Sequence, residues 1–146
     1  MKARLLLVAM ALALALVSGC AQSESSVGVV RVIDGDTIVI SGGATVRYIG
    51  IDTPERGEPY YQEALEANRR LVEGKSLRLE RDVSEEDRYG RLLRYVYQDG
   101  VFVNVELVRM GWAEAKAYPP DTRYQWQLEA AEEEARVAER GIWAGR

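Results

Sequence analysis

The stretch from residue 27 to 51 constrains the fold more than any other part of this chain. Val27 to Ile33 (VGVVRVI) and Thr37 to Ile40 (TIVI) are β-branched runs, and Asp34-Gly35-Asp36 between them is a strong hairpin turn signal. Gly42-Gly43 marks the next turn, and Thr45 to Ile51 reads as a third strand. Three short strands joined by tight turns form an antiparallel meander, which must bury one face against something else. The next segment supplies a partner. Tyr61, Ala64, Leu65, Asn68, Leu71 and Val72 fall on one helical face, with Gly74 just beyond as the stop.

Ser76 to Arg81 and Leu92 to Tyr97 then read as two further strands, the second running into an Asp99-Gly100 turn. A short helix is expected from about Asn104 to Met110, ended by Gly111. A last helix is expected to start near Asp121 or Thr122 as N-cap and to run to about Arg140, with Gly141 past its end. Five strands with a helix after the third fit an α+β protein built on a small Greek-key barrel of the OB type, a fold that often binds oligonucleotides.

The N-terminus has a different character. Lys2 and Arg4 precede an apolar run from Leu5 to Val17, which is too short for the roughly 20 residues a membrane-spanning helix needs. Charged start, short apolar run and small residues at Ser18 and Gly19 read as a secretory signal over residues 1–19. Val17-Ser18-Gly19-Cys20 resembles the bacterial lipoprotein box, in which cleavage precedes a cysteine that becomes lipid-modified. Cys20 is the single cysteine in the chain. Residues 20–26 are then a polar tether, at most about 25 Å long when extended, and residues 27–146 the globular domain. Without residues 1–19 the chain carries 17 basic and 23 acidic side chains, about −6 against −4 for the whole.

The chain has no histidine, which excludes a Ser/His/Asp triad, a Cys/His pair, a histidine general base and a His-ligated zinc. Any chemistry here belongs to carboxylates, arginines, tyrosines and a hard metal ion. Asp36 taken alone is a turn aspartate. Asp52-Thr53-Pro54-Glu55 has the form of a helix start, but Gly57 and Pro59 follow too soon for a helix to continue. By period-two alternation Arg47 shares a face with Ile49 and Ile51, and Arg91 shares one with Leu93 and Tyr95 in the fifth strand. An arginine on an apolar face must snorkel, pair with an acid or line a pocket. Two readings stay open on the residues alone: structural salt bridges, or an anion site beside a cation site. The second suits phosphoryl transfer, which depends largely on positioning and charge stabilisation. Guanidinium forks hold phosphate oxygens, aspartates ligate calcium or magnesium, and a glutamate orients or deprotonates water.

Three blocks, Asp34-Gly35-Asp36-Thr37, Arg47-Tyr48-Ile49-Gly50-Ile51-Asp52-Thr53-Pro54-Glu55 and Asp87-Arg88-Tyr89-Gly90-Arg91, closely resemble the staphylococcal nuclease family in order and spacing. The resemblance runs from about Val27 to Trp143 and takes in Leu107-Val108-Arg109-Met110-Gly111. It implies a five-stranded OB-fold barrel with three α-helices. It also implies calcium-dependent hydrolysis of DNA and RNA, single strands favoured, to 3′-phosphate products. Position by position it implies that Asp36 and Asp52 bind Ca2+ through carboxylates and Thr53 through its main-chain carbonyl. Glu55 matches the general base or water-orienting residue, Arg47 and Arg91 the phosphate-binding arginines, and Arg88 and Tyr89 a basic residue and a tyrosine near a substrate phosphate. Tyr118 matches a tyrosine that packs against a base. The chain departs from the best-known member in two shorter loops, Ser41 to Ala44 and the segment after Glu55, and in its acidic balance. Much of that charge comes from Glu129, Glu132, Glu133, Glu134 and Glu139, read as a solvated helix face.

The expectation is therefore a monomeric, calcium-dependent nuclease, lipid-anchored through Cys20 in the bacterial cell envelope after export. The alternative is a catalytically silent OB-fold module that binds single-stranded nucleic acid or a protein partner.

Overall fold

The computed structural model describes residues 26–145, so the signal segment, Cys20 and most of the tether lie outside the described residues. Strand β1 (Ser26–Val32) pairs antiparallel with β2 (Thr37–Ile40), and β2 pairs with β3 (Thr45–Tyr48). On its other side β1 pairs with β5 (Ser76–Glu80), which pairs with β6 (Leu92–Gln98). A parallel ladder between β3 and β6, with Arg47 opposite Leu93, closes the five strands into a barrel. The short β7 (Val101–Phe102) folds back on β6 through the Asp99-Gly100 turn. Ile38, Val46, Leu77 and Val96 fill the barrel and are fully buried.

Three helices cover the barrel: α1 (Tyr61–Val72), α2 (Val103–Arg109) and α3 (Gln125–Val137), followed by a 3-10 turn at Gly141–Trp143. The architecture is the expected α+β OB-fold barrel with three helices. Helix α1 has the predicted bounds, because its apolar stripe and its stop at Gly74 are local signals.

Three expectations need correction. The third strand does not run to Ile51. It ends at Tyr48, and after Ile49-Gly50 the chain restarts as β4 (Ile51–Asp52), which pairs antiparallel with β8 (Glu114–Ala115). Gly50 makes this turn with φ +78°, and a Cβ there would stand 2.4 Å from Leu128 Cδ1, so only glycine fits. The last helix starts at Gln125 and ends at Val137, well inside its expected span, because Asp121 is used elsewhere. Arg91 lies just before β6 rather than within it.

Candidate active site

The site grows from the turn between β1 and β2. The turn closes through the Ile33 N–H, which donates to the Thr37 carbonyl at 2.9 Å, and Asp34 Oδ1 accepts from the Asp36 N–H at 3.1 Å. Gly35 lets this turn lie against Thr53, since a Cβ at Gly35 would sit 2.8 Å from the Thr53 side chain. That approach delivers Asp36 into a donor-rich socket. Its Oδ2 accepts from the Thr53 N–H at 3.0 Å and the Thr53 hydroxyl at 2.9 Å, while Oδ1 accepts from the Thr37 hydroxyl at 3.1 Å. Burial pushes the Asp36 carboxyl up to about 6, against the opposing pull of the Arg47 charge and the Thr53 hydrogen bonds.

Arg47 joins the parts. It lies opposite Thr37 across the β2–β3 ladder, beside Asp36. Its Nη2 stands 3.2 Å from Asp36 Oδ2 and 3.2 Å from Asp52 Oδ1, and its Nη1 donates to the Tyr48 carbonyl at 2.8 Å. One guanidinium nitrogen thus bridges two carboxylates, one from the β1–β2 turn and one from β4.

From Arg47 a cleft of about 450 Å³ opens between the 84–91 segment and the 118–121 segment. It collects Arg88, Tyr89, Arg91 and Tyr118 with Arg47. The 87–91 loop is shaped by Asp87, whose Oδ1 accepts from the N–H groups of Tyr89 at 2.9 Å and Arg91 at 3.1 Å. Asp87 Oδ2 takes the Arg91 Nε at 2.7 Å, which aims the rest of that guanidinium and leaves its side chain about one-third exposed. Arg88 and Arg91 both lie over the Tyr89 ring, 4.7 and 5.4 Å from its centroid. Tyr89 and Tyr118 are exposed at the mouth, 67% and 43%.

The structure thus brings together Asp36, Arg47, Asp52 and Thr53 at one end and Arg88, Tyr89, Arg91 and Tyr118 along the cleft. Glu55 is exposed just after Thr53-Pro54 and, like Asp36, Asp52 and Thr53, does not line this cleft. The main-chain N–H of Glu55 donates to Glu58 Oε2 at 2.7 Å.

Sequence reasoning missed several supports. Asp121, expected as an N-cap, is buried and accepts from the N–H groups of Val83 at 3.0 Å and Ser84 at 2.8 Å, stitching together the two walls of the cleft. Burial alone would raise its carboxyl; those donors outweigh it and hold the group below the ordinary carboxylate value. Asn68 on α1 is wholly buried and links the Tyr48 hydroxyl to the Asp34 carbonyl. A polar residue on an apolar helix face is the signal that points to it. Lys116 ion-pairs with Asp52, and it had no signal in the pattern.

Barrel, bridged aspartates and arginine-lined cleft define an OB-fold protein whose cleft presents guanidinium groups to an anionic ligand. Residues 45–145 match the family described as staphylococcal nuclease homologue. The chain is 38% identical over 131 residues to the thermonuclease of Staphylococcus hyicus, covering 84% of this chain and 78% of that one. It is 40% identical over 122 residues to the thermonuclease of Staphylococcus intermedius, covering 77% and 73%. It is 43% identical over 125 residues to the endonuclease YncB of Bacillus subtilis, covering 78% of this chain and 59% of that protein. The chain belongs to the staphylococcal nuclease family.

Proposed function

We propose that this chain is a calcium-dependent, sequence-nonspecific nuclease that hydrolyses DNA and RNA to 3′-phosphate products and works from a lipid anchor in the bacterial cell envelope. Membership of the staphylococcal nuclease family makes it a nuclease, a phosphodiester hydrolase. The observation that carries the finer reading is the shared guanidinium: Arg47 Nη2 lies 3.2 Å from both Asp36 and Asp52, at the end of the cleft that holds Arg91.

The residues fit a hard divalent cation. Asp36 and Asp52 already converge on one positive group, and the oxygen donors are those that calcium takes. Asp36, Asp52 and the main-chain carbonyl of Thr53 would hold it, and it would supply positive charge against the phosphate oxygen that gains negative charge. Arg47 and Arg91 present planar forks to the other phosphate oxygens and never deprotonate. Arg88 and Tyr89 extend this hold toward a neighbouring phosphate, and Tyr118 offers a ring face to a base. Glu55, exposed and close in sequence to Asp52, takes or orients the proton of the attacking water. Water oxygen bonds to phosphorus, the bond from phosphorus to the 5′ oxygen breaks, and that oxygen leaves as a hydroxyl after taking a proton from solvent.

The test is digestion of single-stranded DNA by the pure protein with calcium or with chelator, followed by end-group analysis. Cleavage with calcium alone and 3′-phosphate ends are expected; equal cleavage in chelator, or none in calcium, refutes the reading. The anchoring proposal rests on the sequence around Cys20. Wild type should partition with membranes and Cys20→Ser should not, and equal partitioning removes that part.

A further inference from the structure

Lys116 lies half exposed beside the Asp52 end of the site. Its N–H donates to the Gly50 carbonyl at 2.8 Å, one step past the β4–β8 ladder in which Asp52 faces Glu114 and Ile51 faces Ala115. By the two-residue period of a strand, Lys116 and Glu114 share the face that carries Asp52. A carboxylate directly opposite another is repulsive, and Lys116 answers it diagonally: Nζ lies 2.6 Å from Asp52 Oδ2. With Arg47 Nη2 at Oδ1, each oxygen of Asp52 is occupied by a different cation. The two cations differ in kind. Arg47 is held by Asp36 and the Tyr48 carbonyl and is nearly buried, whereas the Lys116 side chain is half exposed on a flexible stem. Its Nζ is also 5.6 Å from the centroid of Tyr118, which lines the arginine cleft.

We propose that Lys116 is the exchangeable counter-ion of this site: it occupies Asp52 while no divalent cation is there, and passes to a substrate phosphate in the cleft once one is. The inference rests on the calcium reading given above. A divalent cation reaching Asp52 meets Arg47 on Oδ1 and Lys116 on Oδ2; of the two, the half-exposed ammonium on its flexible stem is the one free to leave, and doubly charged calcium has the stronger attraction to the carboxylate. The displaced ammonium stays tethered beside Tyr118, where the cleft arginines already favour anions. Lys116 is thus a positioning residue that sets cation affinity through Asp52 and couples it to nucleic-acid binding.

Calorimetric titration of calcium into the full chain, as wild type, Lys116→Met and Lys116→Arg, tests this together with KM and kcat on single-stranded DNA at saturating calcium. Loss of one exposed, partly screened charge should tighten calcium binding in Lys116→Met by about three- to tenfold. KM should rise by a similar factor with kcat little changed, because a phosphate contact present in both ground and transition states is lost. Lys116→Arg, which keeps the charge, should stay within about twofold of wild type on all three. Calcium affinity in Lys116→Met that is equal to or weaker than wild type overturns the exchange, and so does an unchanged KM. Should wild type itself take up no calcium, the cation reading of the site and this inference fall together.

Discussion

Replacing Asn68 with leucine tests whether a buried polar relay holds the turn that carries Asp36. Asn68 Oδ1 accepts from the Tyr48 hydroxyl at 2.9 Å, and Nδ2 donates to the Asp34 carbonyl at 2.9 Å. Tyr48 is itself buried, so water cannot replace the lost partner. Leucine matches asparagine in size but leaves the Tyr48 hydroxyl and the Asp34 carbonyl unpaired. At about 1 to 1.5 kcal/mol for each orphaned group, Asn68→Leu should cost about 2 to 3 kcal/mol. Tyr48→Phe orphans Asn68 Oδ1 alone and should cost about 1 to 1.5 kcal/mol. The double variant orphans just the Asp34 carbonyl, so it should be no worse than Tyr48→Phe alone. The cycle therefore carries a coupling of about 2 to 3 kcal/mol. Urea unfolding at pH 7 in chelator, followed by the fluorescence of Trp112, Trp126 and Trp143, measures all four proteins. Costs that add to within about 0.5 kcal/mol would refute the relay.

Asp121 has a folded value below its ordinary 3.8, so it contributes stability that is fully present above that value and lost as pH falls through the folded one. Asp121→Asn should be less stable at pH 7 and lose less on going from pH 5 to pH 3, as read by denaturant midpoints; a parallel acid limb would sink this. Gly50→Ala forces a side chain onto φ +78° and against Leu128, and should destabilise by about 2 to 4 kcal/mol in thermal unfolding. A variant of wild-type stability would mean that the turn can relax. Glu55→Gln should lower kcat about 10²- to 10⁴-fold and leave the fold intact. Arg91→Lys gives up the planar fork and should also lower turnover. A silent binding module would instead keep its single-strand affinity in both variants and show no turnover even as wild type.

What the sequence made legible was local. The β-branched runs, their glycine turns and the stripe of α1 from Tyr61 to Val72 depend on neighbours a few residues away, and the structure has them where they were expected. What stayed hidden depends on distant partners. β4 is two residues long, and its pairing with Glu114–Ala115 leaves no period to read. Asp121 was a plausible N-cap until Val83 and Ser84, 38 and 37 residues earlier, claimed its carboxylate. The site shows the same divide. The positions of Asp36, Arg47, Asp52 and Arg91 were legible as blocks of residue types, whereas the bridging nitrogen of Arg47 and the hold of Lys116 on Asp52 follow from tertiary packing.

The acidic balance looks at odds with a ligand made of phosphates, and the packing resolves part of that conflict. Net charge governs long-range encounter, but a bound phosphate feels the groups within a Debye length, about 10 Å. Three arginines line the cleft, each with a carboxylate or an aromatic ring fixing its direction. The acids of α3 are not simply a solvated face. Glu132 Oε1 accepts from the Ala115 N–H at 3.1 Å, which holds β8 in place, and Arg136 lies 3.3 Å from its other oxygen. Glu134 pairs with Arg109 at 3.1 Å, tying α3 to α2. Because β8 carries Glu114 and leads directly into Lys116, a glutamate of α3 helps place the ammonium that faces Asp52. Part of the negative charge therefore works as scaffolding for a positive site. The cost falls on long-range attraction, so association with nucleic acid should depend less steeply on salt than it does for a basic relative.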